Sequence, residues 1–529
     1  MIPDSRIPLS SLGILLFLCA LSGVLLALSF PKISLWFLAW VSMVPFLWAM
    51  FYLQKTLSFK QTLCLGFTFG FFHFLVGLYW IDIVLEKYGG LPVWTSIPVL
   101  ILLCGYLALY GVAFALGVRF LPDSSLFPSW LSLPSLWVVL EWLRGKLVTG
   151  FPWNLMAYSQ GDVGWLRQIA DITGAYGVSW LIVLVNVLIA RAFIRRKDII
   201  GWLCLVVALS ASFWYGSKTL SSNFSCRDTD LKVAIIQGNI DQAQKWDEAF
   251  RDATIEIYHQ LSFEAARSYK LDLIVWPESA MPFFYGFSPD LTVRVDSIVD
   301  EANVPVLFGS IGIAGFGKDA KSLNKAYLVK PGGFIIGDYS KEHLVPFGEY
   351  VPLQPFLFFV HKLVPTAGDF VPGQSSGVIS WENEAIGMLI CYEAIFPELA
   401  RNRVLNGASM IVNISNDAWF GKSSAPYQHL EIARWRAVET RRPIVRSTNT
   451  GISAFIDPFG NIVSTLGLFQ SGVLVGSVKP CSAQTFYVRH GDVFVAFCVL
   501  IILLASVYSL AKVRVRKNFD VRSRSLRTL

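Results

Sequence analysis

Long apolar runs separated by short polar breaks fill the first 216 residues, and one more such run appears near the end of the chain. A hydrocarbon core about 30 Å thick takes roughly 20 apolar residues of helix to cross. The pattern predicts eight spans: 12–30, 33–53, 62–84, 93–118, 127–143, 177–195, 200–216 and 492–511. The fifth is short and is interrupted by Pro128 and Pro134. The first is expected to stay in the chain, because a second apolar span follows at once with no small-residue cleavage site between them. Between these blocks the rhythm changes. LKVAIIQ, DLIVW, VPVLFGSI, AIGMLI, SMIVNIS and PIVRST are short apolar runs rich in β-branched residues, as buried strands are. Longer mixed stretches at 247–269 and 426–440 separate several of them. The second has Leu430, Ala433, Ala437 and Val438 at helical spacing and reads as an amphipathic helix. Strand–helix alternation of this kind predicts an α/β layered domain.

Composition supports the division. The chain is 54% apolar and 15% charged, against about a quarter charged in ordinary soluble proteins. The net charge of +7 is not a nucleic-acid footprint, because the basic residues gather at the ends of apolar spans: Arg191, Arg195, Arg196 and Lys197, and the tail KVRVRKNFDVRSRSLRTL. Basic clusters of this kind mark cytoplasmic helix ends. With the N-terminus inside, both clusters fall inside, although Arg144, Lys146 and Arg167 of the loop 144–176 fall outside. The expected organisation is a seven-helix transmembrane domain over 1–217, an extracytoplasmic α/β domain over 218–491, an eighth membrane helix over 492–511 and a basic cytoplasmic tail over 512–529.

Five of the eight cysteines, Cys19, Cys64, Cys104, Cys204 and Cys498, lie in apolar spans, where a thiol serves as a small hydrophobe. No CxxC or Cys/His cluster points to a metal, and no phosphate-binding loop is present. Cys226 and Cys481 lie where the α/β domain meets the membrane, and the sequence leaves open whether they pair. Cys391 follows the strand run AIGMLI directly, which sets it at a strand end facing a cleft. Glu278 follows another strand in DLIVWPES, where Pro277 forces the chain to turn. Beside Trp276, its carboxylate suits a general base for a thiol. Lys341 follows a β-like segment, where an ammonium can hold a thiolate or an oxyanion. Taken singly, each has an ordinary reading: a core cysteine, a loop glutamate, a solvated lysine. Together they place a carboxylate, an ammonium and a thiol at three strand ends of one domain.

The segments around these residues, PES at Glu278, YSKEHLVPFGEYVP at Lys341 and MLICYEAIFPEL at Cys391, closely resemble the nitrilase superfamily, whose triad is Glu, Lys and Cys. The helix layout and HLVPFGEYVP, with QGNIDQAQKWD, TGFPWN and NISNDAWFG, resemble the apolipoprotein N-acyltransferase family of bacterial inner membranes over nearly the whole chain. The resemblance implies a multi-pass α-helical membrane domain plus an α-β-β-α nitrilase-like domain on the periplasmic side, with both termini cytoplasmic. It implies that Cys391, with Glu278 as base and Lys341 with a main-chain amide at the oxyanion, takes the sn-1 acyl chain of a phospholipid such as phosphatidylethanolamine. The thioester then passes the chain to the N-terminal S-diacylglyceryl-cysteine amine of an apolipoprotein. Such covalent chemistry is ping-pong, needs no cofactor, and is expected of a monomer.

The same resemblance carries supporting residues. Glu349 matches an essential acid placed to orient Lys341 or Glu278. Tyr392 and Glu393 flank the nucleophile and shape its turn. Trp246 lines the lipid entrance, or merely supports it. Asn416, Trp419 and Phe420 line the pocket, and Trp153 forms a lipid gate unless it only anchors the interface. His343 and His429 take no catalytic role in this pattern. Two rival readings remain: a membrane-tethered amidase whose acceptor is water, and a transporter or scaffold with an inert domain, for which Asp82 and Glu141 are the intramembrane acids to consider.

Overall fold

The structure, a computed structural model, describes residues 9–525 apart from 55, 223–225, 228, 243–244, 246–247, 316, 318–319 and 352–369. Its first part is a helical bundle: α1 (Leu9–Leu28), α2 (Val44–Tyr52), α3 (Phe59–Gly77), α4 (Val93–Phe120), α5 (Ser129–Arg144), α6 (Tyr176–Phe193) and α7 (Ile199–Leu220). Among the described residues, five helices are long and apolar enough to cross a membrane: α3, α4, α6, α7 and the segment Val493–Lys512. Of the remaining expected spans, that at 12–30 is the apolar segment Leu12–Leu28 of α1, and those at 33–53 and 127–143 form shorter helices. The span at 33–53 is not one helix. A 3₁₀ turn at Trp36–Trp40 precedes α2, which starts at Val44–Pro45, where a proline without an N–H belongs. The span at 62–84 ends as α3 at Gly77, and a short helix, Trp80–Ile83, passes into a π turn at Val84–Tyr88. This break puts Trp80 against Trp153 and Phe420, each 5.0 Å away between ring centroids. Pro128 caps α5 and Pro134 lies within it, so this helix has 16 residues.

The α/β part contains two facing sheets. The first has β1 (Leu231–Gln237), β2 (Leu273–Val275), β3 (Met281–Phe284), β4 (Val306–Ala314), β5 (Lys321–Lys330), β6 (Phe334–Ser340) and β13 (Gly472–Val478), in the order β13-β1-β2-β4-β5-β6 with β3 pairing β4. The second is β7 (Val378–Trp381), β8 (Glu384–Ile390), β9 (Met410–Ser415), β10 (Ile444–Thr448), β11 (Ser453–Ile456) and β12 (Ile462–Leu466), in the order β12-β11-β10-β9-β8-β7. Each sheet has three parallel strands at its centre, β1, β2 and β4 in one and β8, β9 and β10 in the other. These six central strands are the six runs legible in the sequence.

Alternation along the strands builds both faces. Val233, Ile235, Leu273, Val275 and Leu307 of the first sheet pack on Ile386, Met388, Ile390, Val412 and Ile414 of the second. On the other side of the first sheet, Ala234, Ile236 and Ile274 meet α8 (Arg251–Ser268) and α9 (Pro289–Ala302). On the far side of the second, Leu389, Ile411 and Ile444 meet α10 (Pro397–Leu405) and α11 (Ala425–Thr440). The result is an α-β-β-α sandwich. The helix α11 departs from its sequence reading, because every residue except Tyr427 and Arg434 is buried. It has no water-facing side, because the helical bundle covers what would be its polar stripe. Ile432, Trp435 and Val438 share one core with Tyr158, Leu166 and Tyr176 of the bundle. A disulfide joins Cys226 to Cys481, closing the question left by the sequence. The last helix, α12 (Val493–Ser525), runs past the expected boundary at 511 without a break.

Candidate active site

Three strand ends meet at one edge of the sandwich. β2 ends at Val275, and the chain turns through Pro277 and Glu278 to Ser279, whose backbone is left-handed (φ 48°). β4 can approach this turn because residue 309 is glycine: a Cβ there would lie 2.4 Å from the Ser279 nitrogen. Lys341 follows β6, and its N–H donates to the Asn324 carbonyl at 2.8 Å. Cys391 follows β8 in a left-handed conformation (φ 51°), uncommon for a non-glycine residue, at the head of a 3₁₀ turn, Cys391–Ile395.

The buried groups form a dense ion and hydrogen-bond network. Lys341 Nζ lies 3.6 Å from Glu278 Oε1 and 2.9 Å from Glu349 Oε2. The Asn324 amide donates to Glu278 Oε1 and to Glu349 Oε1, both at 2.8 Å, so it spaces the two carboxylates. Glu349 Oε2 also accepts from the Val345 N–H at 2.7 Å. The second carboxylate oxygen of Glu278 accepts the Asn416 N–H at 2.8 Å. Burial alone would lower the Lys341 pKa, but Glu349 and Glu278 raise it above the ordinary lysine value, so it is an ammonium. Burial pushes the Cys391 thiol up, Glu278 adds to this, and Lys341 opposes it, so the resting sulfur is a neutral thiol. A base must therefore take its proton for it to react.

Glu393 ties the strand end before Cys391 to the segment around Lys341. One oxygen accepts the Ile390 N–H at 2.7 Å. The other accepts from Tyr339 Oη at 2.7 Å, the Glu342 N–H at 2.7 Å and the His343 N–H at 3.1 Å. Tyr392 extends the other way, donating its hydroxyl to the Gly150 carbonyl of the loop 144–176 at 3.3 Å. Asn416 faces Glu278 by its backbone and Gln242 by its side chain, at 2.6 Å. Trp419 packs on Tyr88 with centroids 5.4 Å apart, and Phe420 packs on Trp80. Trp153 is 1% exposed and donates its indole N–H to Gln428 at 2.8 Å, so it lies inside a shared aromatic cluster. His343 lies over Phe396, 3.8 Å between centroids. Trp246 is outside the described residues.

Sequence reasoning missed several participants. Lys245 is 1% exposed, and its ammonium donates to the Glu278 carbonyl at 3.1 Å. Burial lowers its pKa to about 8, against the pull of Glu278 and Cys391. Two ammonium groups, Lys245 and Lys341, thus balance the carboxylates Glu278 and Glu349 while the thiol is protonated. Its one signal was a lysine inside QGNIDQAQKWD. Asn324 left a fainter trace, a lone amide in KSLNKAYLVK, a run too polar to read as a strand. His429 touches the backbone of Cys391, Nε2 to Cys391 O at 3.1 Å. Among the described residues, no group of three or more His, Cys, Asp or Glu is placed to hold a metal ion.

Residues 22–188 match the family of the apolipoprotein N-acyltransferase N-terminal domain, and residues 232–486 match the carbon-nitrogen hydrolase family. A protein of Geobacter metallireducens named apolipoprotein N-acyltransferase is 44% identical over 489 residues, which cover 91% of this chain and 92% of the relative. One of the same name from Shewanella oneidensis is 33% identical, over 90% of this chain and 92% of its own length. A solved structure from Saccharomyces cerevisiae, of a nitrilase-superfamily member, is 19% identical with a TM-score of 0.38, over 49% of this chain and 93% of its own. The fold expected from the sequence, apolar helices followed by a nitrilase-like sandwich, is the fold observed.

Proposed function

The chain belongs to the apolipoprotein N-acyltransferase family, and from that premise we propose that it moves an acyl chain from a membrane phospholipid to the N-terminal amine of a lipoprotein, through a thioester on Cys391. One observation carries the mechanism. The carboxylate of Glu278 and the ammonium of Lys341 lie 3.6 Å apart, and both act on the buried thiol of Cys391.

In the first half-reaction Glu278 takes the Sγ proton as sulfur attacks the sn-1 ester carbonyl. Lys341 and a main-chain N–H beside the nucleophile hold the developing oxyanion. Collapse breaks the ester C–O bond, Glu278 returns the proton to the leaving hydroxyl, and lysophospholipid departs. In the second, the α-amine of the S-diacylglyceryl-cysteine attacks the thioester and gives a proton to Glu278. The C–S bond breaks, the thiolate recovers that proton, and an amide remains. Ester to thioester is roughly neutral or uphill, whereas thioester to amide is strongly downhill, so the second step drives the first. Glu349 holds Lys341 charged, and Glu393 keeps the lysine and sulfur strand ends in register.

The membrane defines the donor. The site abuts the aromatic cluster of Trp80, Trp153 and Phe420, beside helices able to span a bilayer. The catalytic part lies on the periplasmic face of the inner membrane and both termini lie in the cytoplasm. The Cys226–Cys481 disulfide supports that side, because such bonds persist in oxidising compartments. Phosphatidylethanolamine is the expected donor.

The test gives purified protein a phosphatidylethanolamine with a labelled sn-1 chain and a diacylglyceryl lipopeptide. The expected products are lysophospholipid and a lipopeptide heavier by one acyl group at its amine. Labelled free fatty acid with unmodified lipopeptide would instead identify a hydrolase.

A further inference from the structure

The helix α11 reaches the backbone of the nucleophile through His429. His429 is fully buried, and its Nε2 lies 3.1 Å from the carbonyl oxygen of Cys391. Its other nitrogen lies 3.1 Å from Arg446 Nη2 and 3.1 Å from Asp417 Oδ1. Burial, and then Arg446, lower the His429 pKa, which leaves a neutral ring with one N–H. A carbonyl and a carboxylate only accept, so hydrogen on Nε2 makes two bonds, to the Cys391 carbonyl and from Arg446 to Nδ1, whereas hydrogen on Nδ1 makes one, to Asp417 Oδ1, and sets it against the Arg446 N–H; the ring therefore carries its hydrogen on Nε2. The rest of the cluster fixes this tautomer. Arg446 also donates to Asp417 Oδ2 at 2.8 Å, and Ser415 Oγ donates to Asp417 Oδ1 at 2.8 Å.

The direction of this contact matters. Cys391 belongs to the core between the two sheets, with Ile386, Met388 and Ile390, whereas α11 packs on the opposite face with Leu389. His429 therefore draws the Cys391 carbonyl to the side away from the inter-sheet core. In a trans peptide the following N–H points opposite to the carbonyl. The Tyr392 N–H is thus aimed toward the face that holds the sulfur. It belongs to the first turn of the 3₁₀ segment Cys391–Ile395, where N–H groups have no partner inside the turn.

We propose that His429 is a positioning residue: by holding the Cys391 carbonyl against α11, it presents the Tyr392 N–H to the oxyanion that forms when the thiol attacks. This deepens the acyltransferase reading and rests on it. It also links the bundle to the chemistry. Gln428, the preceding residue, accepts the indole N–H groups of Trp80 at 3.2 Å and Trp153 at 2.8 Å, so one turn of α11 is held by the bundle and holds the nucleophile.

The test uses the full chain in phosphatidylethanolamine nanodiscs with three variants. His429→Gln places an amide donor at the reach of Nε2. His429→Asn reaches only as far as Nδ1. His429→Met fills the volume with no donor and replaces Asn if that variant does not fold. Two rates are read on Cys391: acyl loading, and alkylation by iodoacetamide, which passes through no oxyanion. The expected result is loading slowed about 100-fold in Asn or Met, as when an oxyanion donor is lost. In Gln, loading stays within about tenfold of the parent, and alkylation is little changed in all. Parent-like loading in Asn or Met, equal losses in Gln and Asn, or alkylation falling in step with loading would overturn the proposal. A parent protein that takes no acyl chain would overturn the acyltransferase reading itself, and the role of His429 with it.

Discussion

The two helical layers of the sandwich cover sheets of the same construction, yet their surroundings differ completely. In α8, buried residues form one stripe, Thr254, Ile255, Tyr258, Ser262 and Ala265, and the rest of the helix meets water. Its charges pair at the surface, as Asp252 does with Arg294 of α9. In α11 the charges are buried. Arg436 holds Glu439 at 2.8 Å and Tyr158 Oη at 3.0 Å, and Glu439 accepts the Ala175 N–H at 3.2 Å. Just beyond the helix, Arg441 pairs with Asp171 at 2.7 Å. Most of these links go to the loop 144–176 or to the start of α6. The first layer is a cover, and the second is a joint between membrane helices and chemistry. The comparison teaches that a soluble catalytic fold is adapted to a lipid donor on one side only, that of the sheet whose β8 leads into Cys391.

Substitutions can break or sharpen this contrast. The largest effect is expected for Arg436→Met, which leaves Glu439 buried and unpaired: roughly 3–5 kcal/mol of stability, read as a fall in melting temperature, with acyl loading lost in parallel. Adding Glu439→Leu should recover much of that stability, because no uncompensated charge then remains. Lys245 is expected to show itself through pH. Its folded pKa of about 8 is below its ordinary 10.5, so the buried ammonium costs stability at neutral pH, and the cost disappears as pH rises from 8 toward 10.5. Lys245→Met should therefore raise the melting temperature most below pH 8. The same variant should load acyl chains about tenfold more slowly at pH 7, the effect of roughly one pKa unit at the site. It should also lose the fall in rate that the parent shows as pH passes through 8. Next comes Gln428→Leu, which leaves two buried indole N–H groups unpaired at a cost of about 1–3 kcal/mol. The smallest is Arg294→Ala on the water-facing layer, where an exposed pair is worth less than about 1 kcal/mol by thermal melting. A cost at Arg294 equal to that at Arg436 would erase the distinction between the layers.

The same contrast explains what the sequence could reveal. Strands buried on both faces write themselves as apolar runs, so β1, β2, β4, β8, β9 and β10 were legible, and with them the strand ends at Glu278 and Cys391, whereas Lys341 follows the edge strand β6 and showed only a β-like segment before it. The flanking strands were not. β5 contains Asn324 and three lysines, and β12 is largely exposed, so neither shows an apolar run. The burial of α11 was hidden because its polar residues are satisfied by partners hundreds of positions away, as Arg436 is by Tyr158. Periodicity reports which residues are apolar but not what covers the others. His429 and Lys245 were hidden for a related reason, since each acts on a main-chain carbonyl, a contact that residue types alone do not signal.

The central claim is that Cys391 carries the acyl chain between two substrates. The most direct measurement is the intact mass of the purified protein after incubation with a phospholipid and no acceptor. The account predicts a gain of one acyl group, mapped to Cys391, released by hydroxylamine or by a diacylglyceryl lipopeptide, and absent in Cys391→Ala. A protein whose mass does not change while it still acylates lipopeptide, or an adduct that persists in Cys391→Ala, would contradict it.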